Sequence, residues 1–409
     1  MNFANDFSKT FELADDILSI GANAKKRKIV CPTCVDATIG ALLDDDGKLL
    51  AFESIERLRC EMDSQKLRAY PPVDGGEPFK TAVSKWVFGN QFDLIEQKFV
   101  RKVLATPGAS GALSTVLGNY AAKGDLVLLP DIFWSNYQAI IHQTGANYET
   151  YPLFKDNHFN MEGFVEKTLE VVEKTKKLIV LINDPCQNPT GYSLTQNELK
   201  NILNHLDQLG KKHPVIFIYD IAYLDYADES FEETRKRFSN FLSIESNMLI
   251  TVAFSASKTF GVYGLRGGAL IGLSNDKTIM QEFERICLYK ARSTWSCPPT
   301  TPIQIMNLLD SNQADKNAFI EELKCVRNLL QQRANLFMKE AKTCGLVTYP
   351  YTHGFFVTIP CEHPTETYQS LLKDDIFVIP LSGAIRVALS ALPIKDVYGL
   401  AKCILDHIN

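Results

Sequence analysis

The sequence predicts an α/β protein in two parts. A large domain, residues 41–300, has a mostly parallel central sheet covered by helices; a smaller α+β domain is built from both chain ends, residues 1–40 and 301–409. Three observations carry this. From about residue 99 to 275, short apolar β-rich runs alternate with polar helical stretches, the pattern of βαβ units around a buried sheet. The character changes after Pro298-Pro299, where a long helical pattern begins. A chain of 409 residues that is 45% apolar is long enough to bury more than one core.

In chain order, the first 40 or so residues read as helical and then irregular, and they are expected to pack against the C-terminal portion. A strand followed by Gly108-Ala109-Ser110-Gly111 leads into a helix over Ala112 to Ala121. Further strands read at Leu126 to Leu129, Met248 to Phe254 and Gly268 to Leu273. The clearest unit is Leu178 to Asn183, then Asn197 to Lys212, then Val215 to Asp220. Its outer segments, LIVLIN and VIFIYD, are nearly unbroken apolar runs, as expected of strands covered on both faces. The middle segment is amphipathic and starts after a Thr195 cap. The last long pattern runs from about Pro302 to Ala341, with Glu321, Glu322, Lys324 and Arg327 on its polar side.

Composition removes several classes of function. A net charge of -5 gives no electrostatic reason for nucleic acid or an anionic membrane as partner. No apolar stretch approaches the roughly 20 residues that span a bilayer. Asp6, Glu12, Asp15 and Asp16 precede any apolar run, unlike the basic start of a secretory leader, so a cytoplasmic protein is expected. Ten cysteines in that setting read as thiols rather than a disulfide framework. The pair in Cys31-Pro32-Thr33-Cys34 lacks the second pair or histidines that a zinc site needs, so no metal is expected.

In open α/β sheets, ligands bind beyond the carboxyl ends of the strands. Leu178 to Asn183 runs into Asp184-Pro185-Cys186-Gln187-Asn188-Pro189-Thr190-Gly191. Asp220 ends the next strand with Tyr223 three residues on, and the strand to Phe254 ends at Ser255-Ala256-Ser257-Lys258 with Arg266 following. Each segment alone reads equally as a surface loop or a satisfied buried ion; at consecutive strand ends they converge on one crevice. Gly108, Ala109 and Ser110 open a helix, where free backbone N–H groups form an anion site that Arg266 and Ser255 complete. Neither G-x-G-x-x-G nor G-x-x-x-x-G-K-[ST] occurs, so nucleotide-binding readings lose their support. Ser255-Ala256-Ser257-Lys258 also fits an S-x-x-K nucleophile motif, but its companions S-D-N and K-T-G are absent.

Asn188-Pro189-Thr190-Gly191, Asp220-Ile221-Ala222-Tyr223, Ser255-Ala256-Ser257-Lys258 and Arg266 together resemble the signature set of class I aminotransferases, in order and spacing. The resemblance runs from about Gly40 to Arg386 and is nearest the aspartate and aromatic branch. It implies an aminotransferase-like fold and the cofactor pyridoxal 5'-phosphate, held as an imine on Lys258 in the larger domain. It also implies transfer of an amino group between a dicarboxylic or aromatic L-amino acid and a 2-oxo acid such as 2-oxoglutarate.

Under that resemblance, the Lys258 amine, once displaced, moves a proton at the substrate Cα. Asp220 keeps the pyridine nitrogen protonated, and Tyr223 and Asn188 bond the phenolic oxygen. Trp134 stacks on the ring or, on a plainer reading, is a core tryptophan. Gly108, Ala109, Ser110, Ser255, Ser257 and Arg266 hold the phosphate. Arg386 forks the substrate α-carboxylate, beside Gly40 and Asn188. Arg292 binds a distal carboxylate across a homodimer interface, and Tyr70 reaches the neighbouring subunit's phosphate. Two departures stand out: Tyr137 replaces a histidine behind Asp220, and Ala109-Ser110 replaces Gly-Thr. The same cofactor set also serves β-elimination and decarboxylation, the alternative activities. A regulator that kept only the fold would carry a DNA-binding addition or lack the lysine.

Overall fold

The computed structural model describes residues 3–5, 7–11, 16–227 and 230–408. Asp6, Glu12 and Asp15 of the acidic N-terminus lie outside them. The central sheet has seven strands: β1 (Val100–Pro107), β2 (Leu126–Pro130), β3 (Asn147–Tyr151), β4 (Leu178–Asn183), β5 (Val215–Asp220), β6 (Leu249–Ser255) and β7 (Gly267–Ser274). Their spatial order is β1-β7-β6-β5-β4-β2-β3. Only β7 runs antiparallel to its neighbours.

Every residue of β4, β5 and β6 is buried, which is why these runs carry no polar alternation. Their side chains still divide by the pleat. Ile179, Leu181, Ile216 and Ile218 enter a core with Leu113, Val116 and Phe283, whereas Val180, Ile182, Phe217 and Tyr219 enter the core on the opposite face. The edge strand β3, Asn-Tyr-Glu-Thr-Tyr, is not legible in the sequence because it is polar and only Tyr151 is buried.

Local chemistry sets the helix ends. Helix α1 spans Asp16–Val30, α2 Gly108–Tyr120 and α3 Asn136–His142. Helix α2 begins four residues earlier than expected. Gly108 takes a positive φ of 75°, so the chain turns straight from Pro107 into the helix, and Gly-Ala-Ser-Gly forms its first turn. Helix α4, Gln196–Gly210, opens with a capping box in which Thr195 and Glu198 satisfy each other's backbone N–H groups.

Beyond α5 (Ala256–Thr259) and α6 (Lys277–Thr294), the single long helix expected after Pro302 is two, α7 (Thr300–Ser311) and α8 (Gln313–Cys344). Asn312 breaks the run. Its backbone leaves the helical region, at φ -128° and ψ 104°, and its side chain accepts from the N–H groups of Ala314 and Asp315 to cap α8.

The two chain ends share a core. Ile20, Ala24, Cys34 and Ala37 pack with Phe337, Val357, Phe377, Ile385 and Leu400, the last from α9 (Leu400–His407). The core backs a three-stranded antiparallel sheet of β8 (Phe356–Pro360), β9 (Ile379–Leu381) and β10 (Ala384–Ala388), ordered β8-β10-β9. Val35 and Asp36 pair in parallel with Ile376 and Phe377, which ties the N-terminal segment to this part. Ile303, Met306, Leu309, Phe319 and Leu323 of α7 and α8 instead enter the larger core, whereas Ala334, Phe337 and Ala341 of α8 enter the smaller one, so α8 spans both parts. Among the described residues, no helix is long and apolar enough to cross a membrane and no disulfide joins the cysteines.

Candidate active site

The parallel register sets the polar strand ends side by side. Asn183 pairs with Asp220 across β4 and β5, and Asp220 pairs with Ala253 across β5 and β6. The Asn183 amide donates to the Asp220 carbonyl at 2.9 Å, and its Oδ1 accepts the Asn188 N–H at 2.8 Å. These ends open into a cavity of about 520 Å³, lined on its other sides by α1, Gly40 and Phe356.

Lys258 sits on α5, one turn past β6, and its amine faces this cavity. Two bonds fix the turn beneath it: the Tyr226 hydroxyl donates to the Lys258 carbonyl at 2.7 Å, and Thr259 donates to the buried Asp225 at 2.6 Å. The amine donates to the Gly40 carbonyl and lies 4.9 Å from the Tyr263 ring centre. A side chain at Gly40 would meet the Phe356 ring at 2.7 Å, so the close approach of that carbonyl requires glycine. Loss of hydration, reinforced by the Arg386 and Arg266 cations, lowers the Lys258 pKa to about 7. Near neutrality a large share of the amine is therefore an unprotonated base.

Asp220 is 3% exposed and carries the opposite shift: burial raises its pKa to about 6, while bonds from Tyr137 and the Ala222 N–H pull it back. The Tyr137 hydroxyl donates to Oδ2 at 2.7 Å, and the Ala222 N–H to Oδ1 at 3.0 Å. Burial also pushes the Tyr223 hydroxyl upward, against pulls from Arg386 and Asn188.

Two guanidiniums line the cavity. Arg266, at φ 53°, donates to Ser257 Oγ at 3.1 Å and to the Tyr263 carbonyl at 2.9 Å. It lies so close to the start of α2 that a Cβ on Gly108 would come within 2.6 Å of Nη2. Ala109, Ser110, Ser255 and Ser257 line the same corner, so helix-terminal N–H groups, hydroxyls and a cation meet where an anion fits. Arg386 on β10 is 4% exposed, and its guanidinium lies 4.4 Å from the Phe356 ring centre. It donates to Asn188 Oδ1 at 3.2 Å and the Thr38 carbonyl at 2.8 Å, and its buried Nε has no partner. Burial lowers its pKa to about 10, which leaves it charged at neutral pH. Spare donors on a buried cation suit a carboxylate.

The cavity thus gathers Gly40, Ala109, Ser110, Trp134, Asn188, Asp220, Tyr223, Ser255, Ser257, Lys258, Arg266 and Arg386, with Gly108 packed behind Arg266. It does not gather Tyr70 or Arg292. Tyr70 is 91% exposed, and Arg292 is exposed on the last turn of α6, bonded to Ser296. Sequence reasoning missed Tyr263, whose hydroxyl accepts the Leu42 N–H at 2.9 Å below the lysine. It also missed Ile17, Leu18, Gly21, Ala22 and Lys25 of α1, which line the cavity. Their spacing of four residues gave a signal for one helix face, though not for what that face covers.

The profile of the family described as aminotransferase class I and II matches residues 17–404. A crystal structure of an aminotransferase from Anaerococcus prevotii superposes with a TM-score of 0.95 at 30% identity, covering 100% of each chain. The aromatic-amino-acid aminotransferase of Burkholderia pseudomallei, covalently bound to pyridoxal phosphate, gives 0.82 at 21% identity over 99% of this chain and 100% of that one. By sequence, the aspartate aminotransferase of Escherichia coli is 25% identical over 323 residues, 77% of this chain and 78% of its own. The aromatic-amino-acid aminotransferase of Paracoccus denitrificans is 26% identical over 379 residues, 91% and 92% of the two chains.

Proposed function

The chain belongs to the class I and II aminotransferase family and is a pyridoxal-phosphate-dependent transaminase, and from that premise we propose how its residues divide the work. The observation that carries the reading is one cavity holding a lysine amine with a pKa of about 7, a buried carboxylate, and two guanidiniums, one of them beside a helix N-terminus. When bound, the cofactor supplies an aldehyde that captures amino groups and a ring that draws electrons from the substrate Cα.

Lys258 would hold the cofactor through its amine and, as a free amine, would move the proton at the substrate Cα, a task matched to an amine half unprotonated near neutrality. Asp220 sets an anion against the pyridine nitrogen and keeps it protonated. Arg266, Ser110, Ser255, Ser257 and the N–H groups after Gly108 take the phosphate. Trp134, Tyr223 and Asn188 line the same cavity, where Trp134 would stack on the cofactor ring and Tyr223 and Asn188 would bond its phenolic oxygen. Arg386 takes the substrate α-carboxylate, consistent with its unspent Nε and with Gly40 and Asn188 close by. The larger unit, residues 41–300, holds the cofactor; residues 1–40 and 301–409, with α8 shared between the units, bring Arg386 and the α1 lid.

Tyr70 and Arg292 act from a second copy in a cytoplasmic homodimer: Tyr70 on the phosphate, Arg292 on the distal carboxylate of aspartate or glutamate. An amino-donor screen against 2-oxoglutarate and oxaloacetate tests the substrate class. Arg292→Ala should then lower kcat/KM for dicarboxylic donors by about a hundredfold, about 3 kcal/mol, and aromatic donors far less. Equal loss with phenylalanine and aspartate would remove the dicarboxylate role.

A further inference from the structure

Asp220 ends a strand with burial working against its charge, and few groups oppose that. Its Oδ1 takes one backbone N–H, from Ala222, and its Oδ2 takes the hydroxyl of Tyr137. The groups lining the cavity with it are Tyr223 from its own turn, Lys258 from α5, Tyr263 and Arg266 from the loop after it, Arg386 from β10 and Lys25 from α1. Among the described residues, no ion pair to Asp220 forms. Tyr137 is itself held from several sides. It is 1% exposed on α3, its ring is stacked 6.3 Å from Phe133, and it meets Trp134 edge-on at 5.4 Å. The hydroxyl has little freedom to point elsewhere.

We propose that Tyr137 is a positioning residue of the reaction, whose hydroxyl donates to the Asp220 carboxylate and holds it aimed into the cavity. This rests on the reading of Asp220 as the partner of the cofactor's ring nitrogen. Burial and the neighbouring carboxylate push the Tyr137 phenol well above its usual value, so its proton stays in place. An imidazole at this position would titrate near neutrality and couple its own charge to the carboxylate. With the phenol, the affinity of the site for a protonated ring depends on Asp220 alone. Since Asp220 is an anion above about 6, that affinity is present above this value and is lost as pH falls through it.

The test uses the full chain as apoprotein and holoenzyme. Tyr137→Phe keeps the ring between Phe133 and Trp134 and removes only the donor. Its dissociation constant for pyridoxal phosphate should rise about twofold at pH 7 and close to tenfold at pH 5, as the acid limb of the binding curve moves up by about one unit. Its kcat should fall about tenfold, with KM for the amino donor little changed. Tyr137→His should restore a donor but add an inflection near neutral pH, in cofactor affinity and in the visible absorbance of the holoenzyme. The proposal is overturned if Tyr137→Phe lowers only the melting temperature and leaves the pH curves in place, or if Tyr137→His adds no inflection. Asp220→Asn separates the two levels. If Asp220→Asn abolishes the acid limb while Tyr137→Phe does nothing, only the role of Tyr137 falls; if neither variant moves the limb, the reading of Asp220 falls with it.

Discussion

Asp184 and Asp220 stand beside each other at the ends of β4 and β5, joined by a 3.0 Å backbone bond, and are 1% and 3% exposed. Their surroundings differ. Asp184 spends its oxygens on Arg237, on the Tyr219 hydroxyl at 2.5 Å and on the Leu194 N–H at 2.7 Å. Nearby, Asp225 is equally occupied by Arg235, by Trp86 Nε1 at 3.2 Å and by Thr259 at 2.6 Å. Asp220, Lys258 and Arg386 instead face open volume, two with pKa values moved toward neutrality and the third with an unused donor. Burial of charge therefore does not mark the site on this sheet. Charge that lines a cavity without an ion-pair partner does, and the fully paired clusters supply the rigid floor, since Asp225 anchors Thr259 beside Lys258.

The largest effect that follows from this contrast is on chemistry. Lys258→Ala should fold normally and lose transamination by on the order of ten-thousandfold, since one residue both carries the cofactor and moves the proton. Borohydride reduction and peptide mapping of the wild-type protein should leave the pyridoxyl group on Lys258. A label on another lysine would move the site.

The next effect separates the two carboxylates by stability. Asp225→Ala strands the Arg235 cation, which is wholly buried against Phe231 at 3.7 Å, and should cost about 3–5 kcal/mol in urea unfolding. Asp220→Asn removes a charge that burial already opposes, so the apoprotein should lose at most about 1 kcal/mol. Equal destabilisation by both would erase the distinction between floor and site.

The smallest effect is a pH shift. An amine is nucleophilic only when neutral, so capture of pyridoxal phosphate by the apoprotein should accelerate as pH rises through about 7, the lowered pKa of Lys258. Arg386→Leu removes one of the cations that lower it and should move the midpoint up by as much as about one unit, read by stopped-flow absorbance. In the same apoprotein the unfolded chain binds the Lys258 proton up to about 10.5 and the folded chain only to about 7. This residue therefore makes stability rise with pH between those values. A midpoint unmoved by Arg386→Leu would leave desolvation and the Arg266 cation as the causes.

The sequence by itself determined the fold class, the strands β4, β5 and β6, and the lysine, aspartate and arginines that meet in the cavity. Apolar runs of six or seven residues rich in β-branched and aromatic side chains and bounded by turn residues read as strands covered on both faces, and a polar residue directly after such a run falls at the sheet's rim. It did not determine which rim residue is a spent ion and which is chemistry. Asp184 and Asp220 read alike, and only Arg237, 53 residues beyond Asp184, distinguishes them by arriving from a distant helix. Nor could it place Tyr263 under the lysine, fold α1 over the mouth or split the long helix at Asn312, because each depends on contacts between segments far apart or on a single cap outweighing a periodic pattern. Tyr70 and Arg292 lie outside the cavity of one chain for the same reason: a side chain's surroundings belong to the assembled structure, and the sequence encodes only its type and its place along the strand or helix.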